Sequence, residues 1–221
     1  MSAPRGVDFY FDYLSPYAYF ASLRLPSLCA RHGAELRWRP VLFAGLLDHF
    51  GHRGPAEIPA KALYTFRDCA RYAARHGIAF RAPRHHPFRP LAALRVSLAV
   101  VAGADQARVA GAIYRMAWAA GGDPGDPAEL AAALDGAGLP GRELLARAAR
   151  PEAKDALRGA TQDAIARGVF GVPTMIACGE LLFGNDRLDD LELVLAGRDP
   201  LAGVDLAPLA SRGPAAHRSP K

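Results

Sequence analysis

Apolar and polar positions change period several times along the chain, and each change marks an element. Val7 to Phe11 is a short aromatic, β-favouring run and reads as a strand. Asp12 to Ser15 interrupts it as a turn. Pro16 then suits the first position of a helix, where its missing N–H costs nothing and its fixed φ is already helical. Ser15 falls at the N-cap, beside the free N–H groups and the positive end of the helix dipole. Tyr17 to Arg31 carries Tyr19, Phe20, Leu23, Leu25 and Leu28 in a broad apolar pattern, with a stop at His32-Gly33. Pro26 inside it predicts a kink or an early break. Glu35 to Arg39 alternates strictly and reads as a second strand ended by Pro40. The two strands and their helix form a βαβ unit, whose connection demands a parallel pair.

From Val41 to about Arg150 the strand pattern is absent. Helices are expected over 42–50, 60–76, 91–102 and 105–120, and again over 126–134 and 141–149. Gly51 to Pro55 is a loop, Gly77 closes the second of these helices, and Ala82 to Pro90 is a proline-rich connector. Asp126, Pro127 and Glu129 supply N-cap, first position and acidic third position to the fifth. A further helix, Pro151 to Arg167, leads to Gly168. Thr174 to Cys178 reads as a strand opened by Pro173, with Gly179-Glu180 as a hairpin turn into Leu181 to Phe183. Asn185-Asp186 caps a last helix over 187–196. From about 200 onward the chain is rich in Ala, Pro and Arg without periodicity and reads as a flexible tail, 201–221. The pattern is that of an α/β domain built from 1–41 and 151–200, interrupted by an all-helical insertion over 42–150.

Composition narrows the classes. A chain of 221 residues, 51% hydrophobic and 22% charged, has ample material for the core of one domain with an insertion. The formal charge of +5 is carried mostly by arginines scattered along helices, so a nucleic-acid role is not expected. A mildly basic surface favours an anionic substrate. Cys29, Cys69 and Cys178 are odd in number, contain no Cys-x-x-Cys, and sit in apolar patterns, so buried free thiols are expected. No apolar run of signal-peptide or membrane-span length occurs, which points to a cytoplasmic protein with no membrane partner.

The candidate chemistry lies in two stretches. One is the strand–Ser15-Pro16–helix junction, where an α/β protein presents a reacting atom or holds an anion. The other is Gly168-Val169-Phe170-Gly171-Val172-Pro173-Thr174, in which the Val172-Pro173 bond, just before a strand, is a candidate cis peptide. His85-His86 lies among prolines with no ligand partners at metal spacing, so it reads as solvated and no metal is expected. No Gly-rich phosphate loop supports nucleotide binding. Serine-hydrolase use of Ser15 would need a histidine base and an oxyanion hole, and no Gly-x-Ser-x-Gly elbow is present.

Together the two stretches resemble the thioredoxin superfamily, whose cis-proline loop faces the N-terminus of the first helix. Ser15-Pro16-Tyr17-Ala18 stands where the redox Cys-Pro-x-Cys would be, so ordinary disulfide exchange is ruled out there. Four motifs narrow the likeness: Phe11 to Tyr17, Pro59-Ala60-Lys61 with Tyr64 and Asp68, Gly168 to Thr174, and Phe183 to Leu188. In this order they are similar to the 2-hydroxychromene-2-carboxylate isomerase family and its relatives, the kappa-class glutathione transferases. The likeness spans roughly residues 6 to 197.

What the resemblance implies is a thioredoxin-like α/β fold with a large all-helical insertion, a homodimer, and glutathione as cofactor. Its functional positions fall on Ser15 for the thiol, Lys61 for a glutathione carboxylate, Val172 beside Pro173 for backbone pairing, and Asn185 and Asp186 for the γ-glutamyl end. A serine at a helix N-terminus can donate to a thiolate, and such charge-assisted bonds are roughly twice as strong as neutral ones. Capping alone would also explain Asn185 and Asp186, and a surface role would explain Lys61. Where relatives carry Gly-Asn before the Lys61 helix, this chain has Gly51-His52, so His52 stands in for that contact. Tyr17, Tyr64 and Trp38 are candidates for an aromatic substrate pocket, with core packing favoured for Trp38. The expected reaction is a glutathione-dependent isomerisation of an aromatic-ring carboxylate. The alternatives are a kappa-like transferase and, from another class, a non-catalytic thioredoxin-like binding module.

Overall fold

The computed structural model describes residues 6–210. A four-stranded sheet runs in the order β2-β1-β3-β4. Strand β1 (Gly6–Phe11) lies at its centre. It pairs parallel with β2 (Glu35–Pro40), from Gly6 opposite Glu35 to Phe11 opposite Pro40. On its other side β3 (Thr174–Ala177) is antiparallel, with Tyr10 opposite Thr174, and β4 (Glu180–Phe183) returns beside β3. Alternation along β1 splits the molecule into two faces. Val7, Phe9 and Phe11 enter one continuous core that also takes Trp38, Met175, Trp118 and Leu130. Tyr10 enters a smaller cluster with Val41, Leu46, Ala164, Val169 and Val172.

Between β1 and β2, α1 (Pro16–Arg31) runs through Pro26 without ending, so the early break expected there does not occur. The smaller cluster is covered by α2 (Phe43–Phe50) and α9 (Pro151–Ala166). Between them lie α3 (Pro59–His76), α4 (Leu91–Val96), α5 (Ala99–Ala102), α6 (Gln106–Tyr114), α7 (Pro127–Gly136) and α8 (Gly141–Ala148). Their apolar faces share the larger core with the sheet, so sheet and insertion are packed as one body. Trp38 is buried edge-on against Phe9 and Phe11, which fixes it as a core residue.

Several local expectations are corrected. The helix expected over 91–102 breaks at Ser97-Leu98, where Leu98 is extended. Ser97 Oγ exchanges a hydrogen bond with the Tyr13 hydroxyl, and the Ser97 carbonyl takes the Gln106 side-chain amide at 2.8 Å. Both partners are distant in sequence. The helix over 105–120 ends in a π-helical turn, Arg115–Ala119, that brings Tyr114 and Trp118 onto the Ser15 turn. The hairpin turn is Cys178-Gly179 rather than Gly179-Glu180, both with positive φ as a two-residue hairpin requires. Cys178 is therefore exposed, while Cys29 and Cys69 are buried as expected. Asn185 and Asp186 form a 3-10 turn with Arg187, and α10 (Leu188–Leu195) begins after it without a side-chain cap. Of the expected tail, 201–210 is described and contains the short α11 (Ala207–Ala210); 211–221 lies outside the described residues.

An ion cluster around one buried acid ties β1 to β2 and to the end of α9. Asp8, 5% exposed, receives Arg167 at 2.8 Å, Arg39 at 2.9 Å and Arg37 at 3.5 Å. Burial alone would raise its carboxyl; the bonds from Arg167 and Arg39 and the nearby arginine charges outweigh that and hold it below the usual range.

Candidate active site

The site is built on the turn between β1 and α1. Its Ser15 N–H closes the turn on Asp12 O at 3.2 Å, and the 16-residue α1 follows. Ser15 is the N-cap in an extended conformation, with Oγ accepting from Ala18 N–H at 3.2 Å. The hydroxyl donates to the Val172 carbonyl at 3.3 Å. A Ser15 oxygen that is buried, dipole-facing and carries one transferable proton can bind an anion on its outer side.

Facing it, Val172-Pro173 is cis, as the sequence leads one to expect. The Val172 C=O is occupied by Ser15; among the described residues no protein group accepts from the Val172 N–H. Pro173 O accepts from Gly184 N–H at 2.9 Å, which pins the 3-10 turn of Asn185 and Asp186 beside the loop. Gly184 has φ of +109°, a backbone conformation that residues with a Cβ rarely adopt, so a substitution there is strained. Asn185 is buried; Asp186 is exposed and bridges to Arg187 at 2.8 Å. Ser15, Val172, Pro173, Asn185 and Asp186 are thus brought together through consecutive contacts.

Lys61, Tyr64 and Asp68 share one face of α3 at helical spacing. Asp68 anchors that face to the site by accepting the Tyr17 hydroxyl at 2.8 Å. Burial, and then the bond to Asp68, raise the Tyr17 phenol well above its ordinary value, so it stays protonated. Beside them the Cys69 thiol is pushed up to about 12, first by burial and then by Asp68, which leaves it inert as a nucleophile. Lys61 and His52 are exposed, and among the described residues no hydrogen bond or ion pair joins their side chains to the Ser15 group. Tyr64, 64% exposed, lines an open flank rather than a closed pocket.

Sequence reasoning missed four residues under the turn. Asp12 is fully buried, its Oδ1 accepting from Leu14 N–H at 3.0 Å and its Oδ2 from Phe43 N–H at 2.9 Å. Burial pushes its carboxyl up to about 6, against the pull of these backbone bonds. Trp118 Nε1 donates to Tyr13 O at 2.8 Å, and the Tyr114 hydroxyl to Asp12 O at 3.4 Å. His86, expected to be solvated, is instead half-buried with Nε2 2.9 Å from Leu14 O, because Phe66, Phe88 and Trp118 enclose its ring. The one signal for Asp12 was a second acid, after Asp8, directly following the aromatic run of β1. An aromatic surface was also missed: Phe170 and Phe183, half-exposed, pack with centroids 4.8 Å apart beside the cis-proline loop.

Comparison with known proteins agrees with this geometry. The model of the DSBA-like thioredoxin domain matches residues 6–196. A 2-hydroxychromene-2-carboxylate isomerase of Sphingobium xenophagum is 32% identical over 194 residues, covering 86% of this chain and 98% of its own. The human glutathione S-transferase kappa 1 is 28% identical, covering 87% of this chain and 91% of its own. The solved structure of a 2-hydroxychromene-2-carboxylate isomerase superposes with a TM-score of 0.77 at 28% identity, over 91% of this chain and 99% of that one. No helix among the described residues is long and apolar enough to cross a membrane.

Proposed function

The chain belongs to the DSBA-like thioredoxin family, together with the 2-hydroxychromene-2-carboxylate isomerases and kappa-class glutathione transferases, and we propose that it is a glutathione-dependent isomerase of the cytoplasm. Its substrate is 2-hydroxychromene-2-carboxylate or a similar aromatic carboxylate, converted to the isomeric trans-o-hydroxybenzylidenepyruvate. The observation that carries this reading is the Ser15 hydroxyl at the α1 N-terminus, opposite the cis Val172-Pro173 bond and a Val172 N–H open for pairing. Such a set fits a peptide thiol: one backbone donor for its amide, one hydroxyl and one helix end for its sulfur.

Glutathione, when bound, would supply a thiolate whose reversible addition to the conjugated carbon, with opening of the hemiketal ring, makes the substrate's double bond temporarily single and free to rotate. The chain's own residues hold and tune it. Ser15 turns its proton from Val172 O toward the sulfur, and the α1 dipole adds to that stabilisation. Val172 N–H and C=O pair with the cysteinyl backbone. Asn185 and Asp186 hold the γ-glutamyl end, with Asp186 accepting from the α-ammonium. Lys61 attracts the opposite carboxylate, and His52 donates beside it. Tyr17 and Tyr64 flank the aromatic ring on the α3 side.

Stoichiometry separates this reading from the transferase one. The thiolate that adds is also the group that leaves, so an isomerase releases one glutathione per turnover. Substoichiometric reduced glutathione is expected to support complete conversion of the hydroxychromene, with free thiol unchanged at the end. Loss of one thiol per product would establish the transferase instead. A thermal shift with reduced glutathione tests both against a pure binding module, whose melting it would not raise.

Lys61 carries a smaller expectation. Because its charge is exposed, Lys61→Ala should weaken glutathione binding only about fivefold and leave kcat unchanged. Titration calorimetry giving the wild-type affinity would remove Lys61 from the binding site.

A further inference from the structure

The turn that carries Ser15 is held by groups that the proposed chemistry does not use. Its central peptide, Tyr13–Leu14, is fixed at both ends: Tyr13 O takes Trp118 Nε1–H at 2.8 Å, and Leu14 N–H donates to Asp12 Oδ1 at 3.0 Å. The following peptide, Leu14–Ser15, is fixed in the same way. Ser15 N–H donates to Asp12 O at 3.2 Å, and Leu14 O meets His86 Nε2 at 2.9 Å. Asp12 O also accepts the Tyr114 hydroxyl at 3.4 Å. Three successive carbonyls, 12 to 14, are therefore gripped by side chains from the helical insertion, and the one adjoining Ser15 belongs to His86.

Because its partner is a carbonyl, Nε2 of His86 must carry a proton. The ring has little freedom to leave: it sits edge-on to Phe66 at 5.4 Å and to Trp118 at 5.5 Å. We propose that His86 is a positioning residue for Ser15, its Nε2–H on the Leu14 carbonyl fixing the Leu14–Ser15 peptide and so aiming the Ser15 Oγ. Without that donor the carbonyl must rotate toward another partner, and the same rotation swings the Ser15 Cα–Cβ bond. A displacement of about 1 Å is enough to take Oγ out of hydrogen-bonding range of Ala18 N–H, already 3.2 Å away.

The test reads the turn directly, without glutathione. In a Cys178→Ser background, which removes the exposed thiol, Ser15→Cys places a titratable sulfur at the α1 N-terminus. Its pKa, from the pH dependence of alkylation, is expected below the roughly 8.5 of a free cysteine. Adding His86→Asn, whose amide stops one atom short of Leu14 O, should raise it by about one unit. Adding His86→Gln, whose amide reaches as far as Nε2, should leave it within about 0.3 units. His86→Phe, which keeps the ring and deletes the donor, replaces the Asn variant if that one melts early. An unchanged pKa in the donor-deleted variant overturns the proposal, and so does a Gln variant shifted as far as the Asn one, since packing would then explain both.

The inference deepens the function proposed above and rests on it for one further arm. With Ser15 in place, His86→Asn should lower kcat about tenfold while leaving the KM for glutathione within twofold, and His86→Gln should recover most of the loss. Should the thiol shift appear while the wild-type protein shows no turnover, the positioning role stands and the enzymatic reading falls.

Discussion

Ser15→Ala is expected to lower kcat roughly 10²-fold or more while leaving the dissociation constant of reduced glutathione nearly unchanged. The hydroxyl has one proton, now on the Val172 carbonyl at 3.3 Å, and a bound thiol offers little reason to move it. A thiolate does. A charge-assisted bond from the buried Ser15 hydroxyl contributes on the order of 2–3 kcal/mol more to the anion than to its neutral form, which is about two decades in rate. The deficit should depend on pH. With Ser15 gone the bound thiol titrates closer to free glutathione, so the variant is weakest at low pH and recovers part of its rate as pH rises. Loss of the N-cap contributes separately, about 1 kcal/mol of stability, and thermal melting measures it. Full activity of the variant across the pH range would reduce Ser15 to a cap and remove the basis of the functional assignment.

The parts of this site that local chemistry determines were legible in the sequence, and the parts held by distant partners were not. Ser15 followed by Pro16 specifies a cap and a helix start within a few residues, and the structure places both there. Val172-Pro173 before a strand is equally local. The breaks and exposures that went unread depend on contacts across the fold. Ser97 ends α4 because the Tyr13 hydroxyl meets its side chain and Gln106 takes its freed carbonyl. His86 is removed from solvent by Phe66, on α3, and by Trp118, at the end of a π-turn that no periodicity announces. Cys178 looked like one more apolar strand residue until the register of β3 against β4 put it in the turn. What resemblance added was the company Ser15 keeps: Asn185 and Asp186 are held beside the cis-proline loop by the Gly184–Pro173 bond, a link of the fold rather than of neighbouring residues.

The strongest effect on stability is expected at Asp12. Asp12→Asn preserves shape but replaces one carboxylate oxygen by an NH₂ that must face a backbone N–H, either of Leu14 or of Phe43. One buried donor loses its acceptor and the other keeps a neutral one, a cost of about 3 kcal/mol. The pH dependence gives the assignment its signature. Burial raises the Asp12 carboxyl to about 6 in the folded chain, above the roughly 3.9 of an unfolded one. The folded state therefore holds this proton more tightly, and the stabilisation from protonating Asp12 is complete below about pH 4 and gone above about pH 6. Two units correspond to about 3 kcal/mol. Asp8 has the opposite sign: its carboxyl is held below the usual range by arginines, so its contribution is present above about pH 4 and fades in stronger acid. Subtracting the urea-unfolding free energies of Asp12→Asn from those of wild type between pH 4 and 8 cancels Asp8 and leaves Asp12. The advantage of wild type should widen steadily as pH falls from 6 to 4. A difference that stays flat over that interval would show that the carboxylate under the Ser15 turn is ionised throughout, held by its backbone donors.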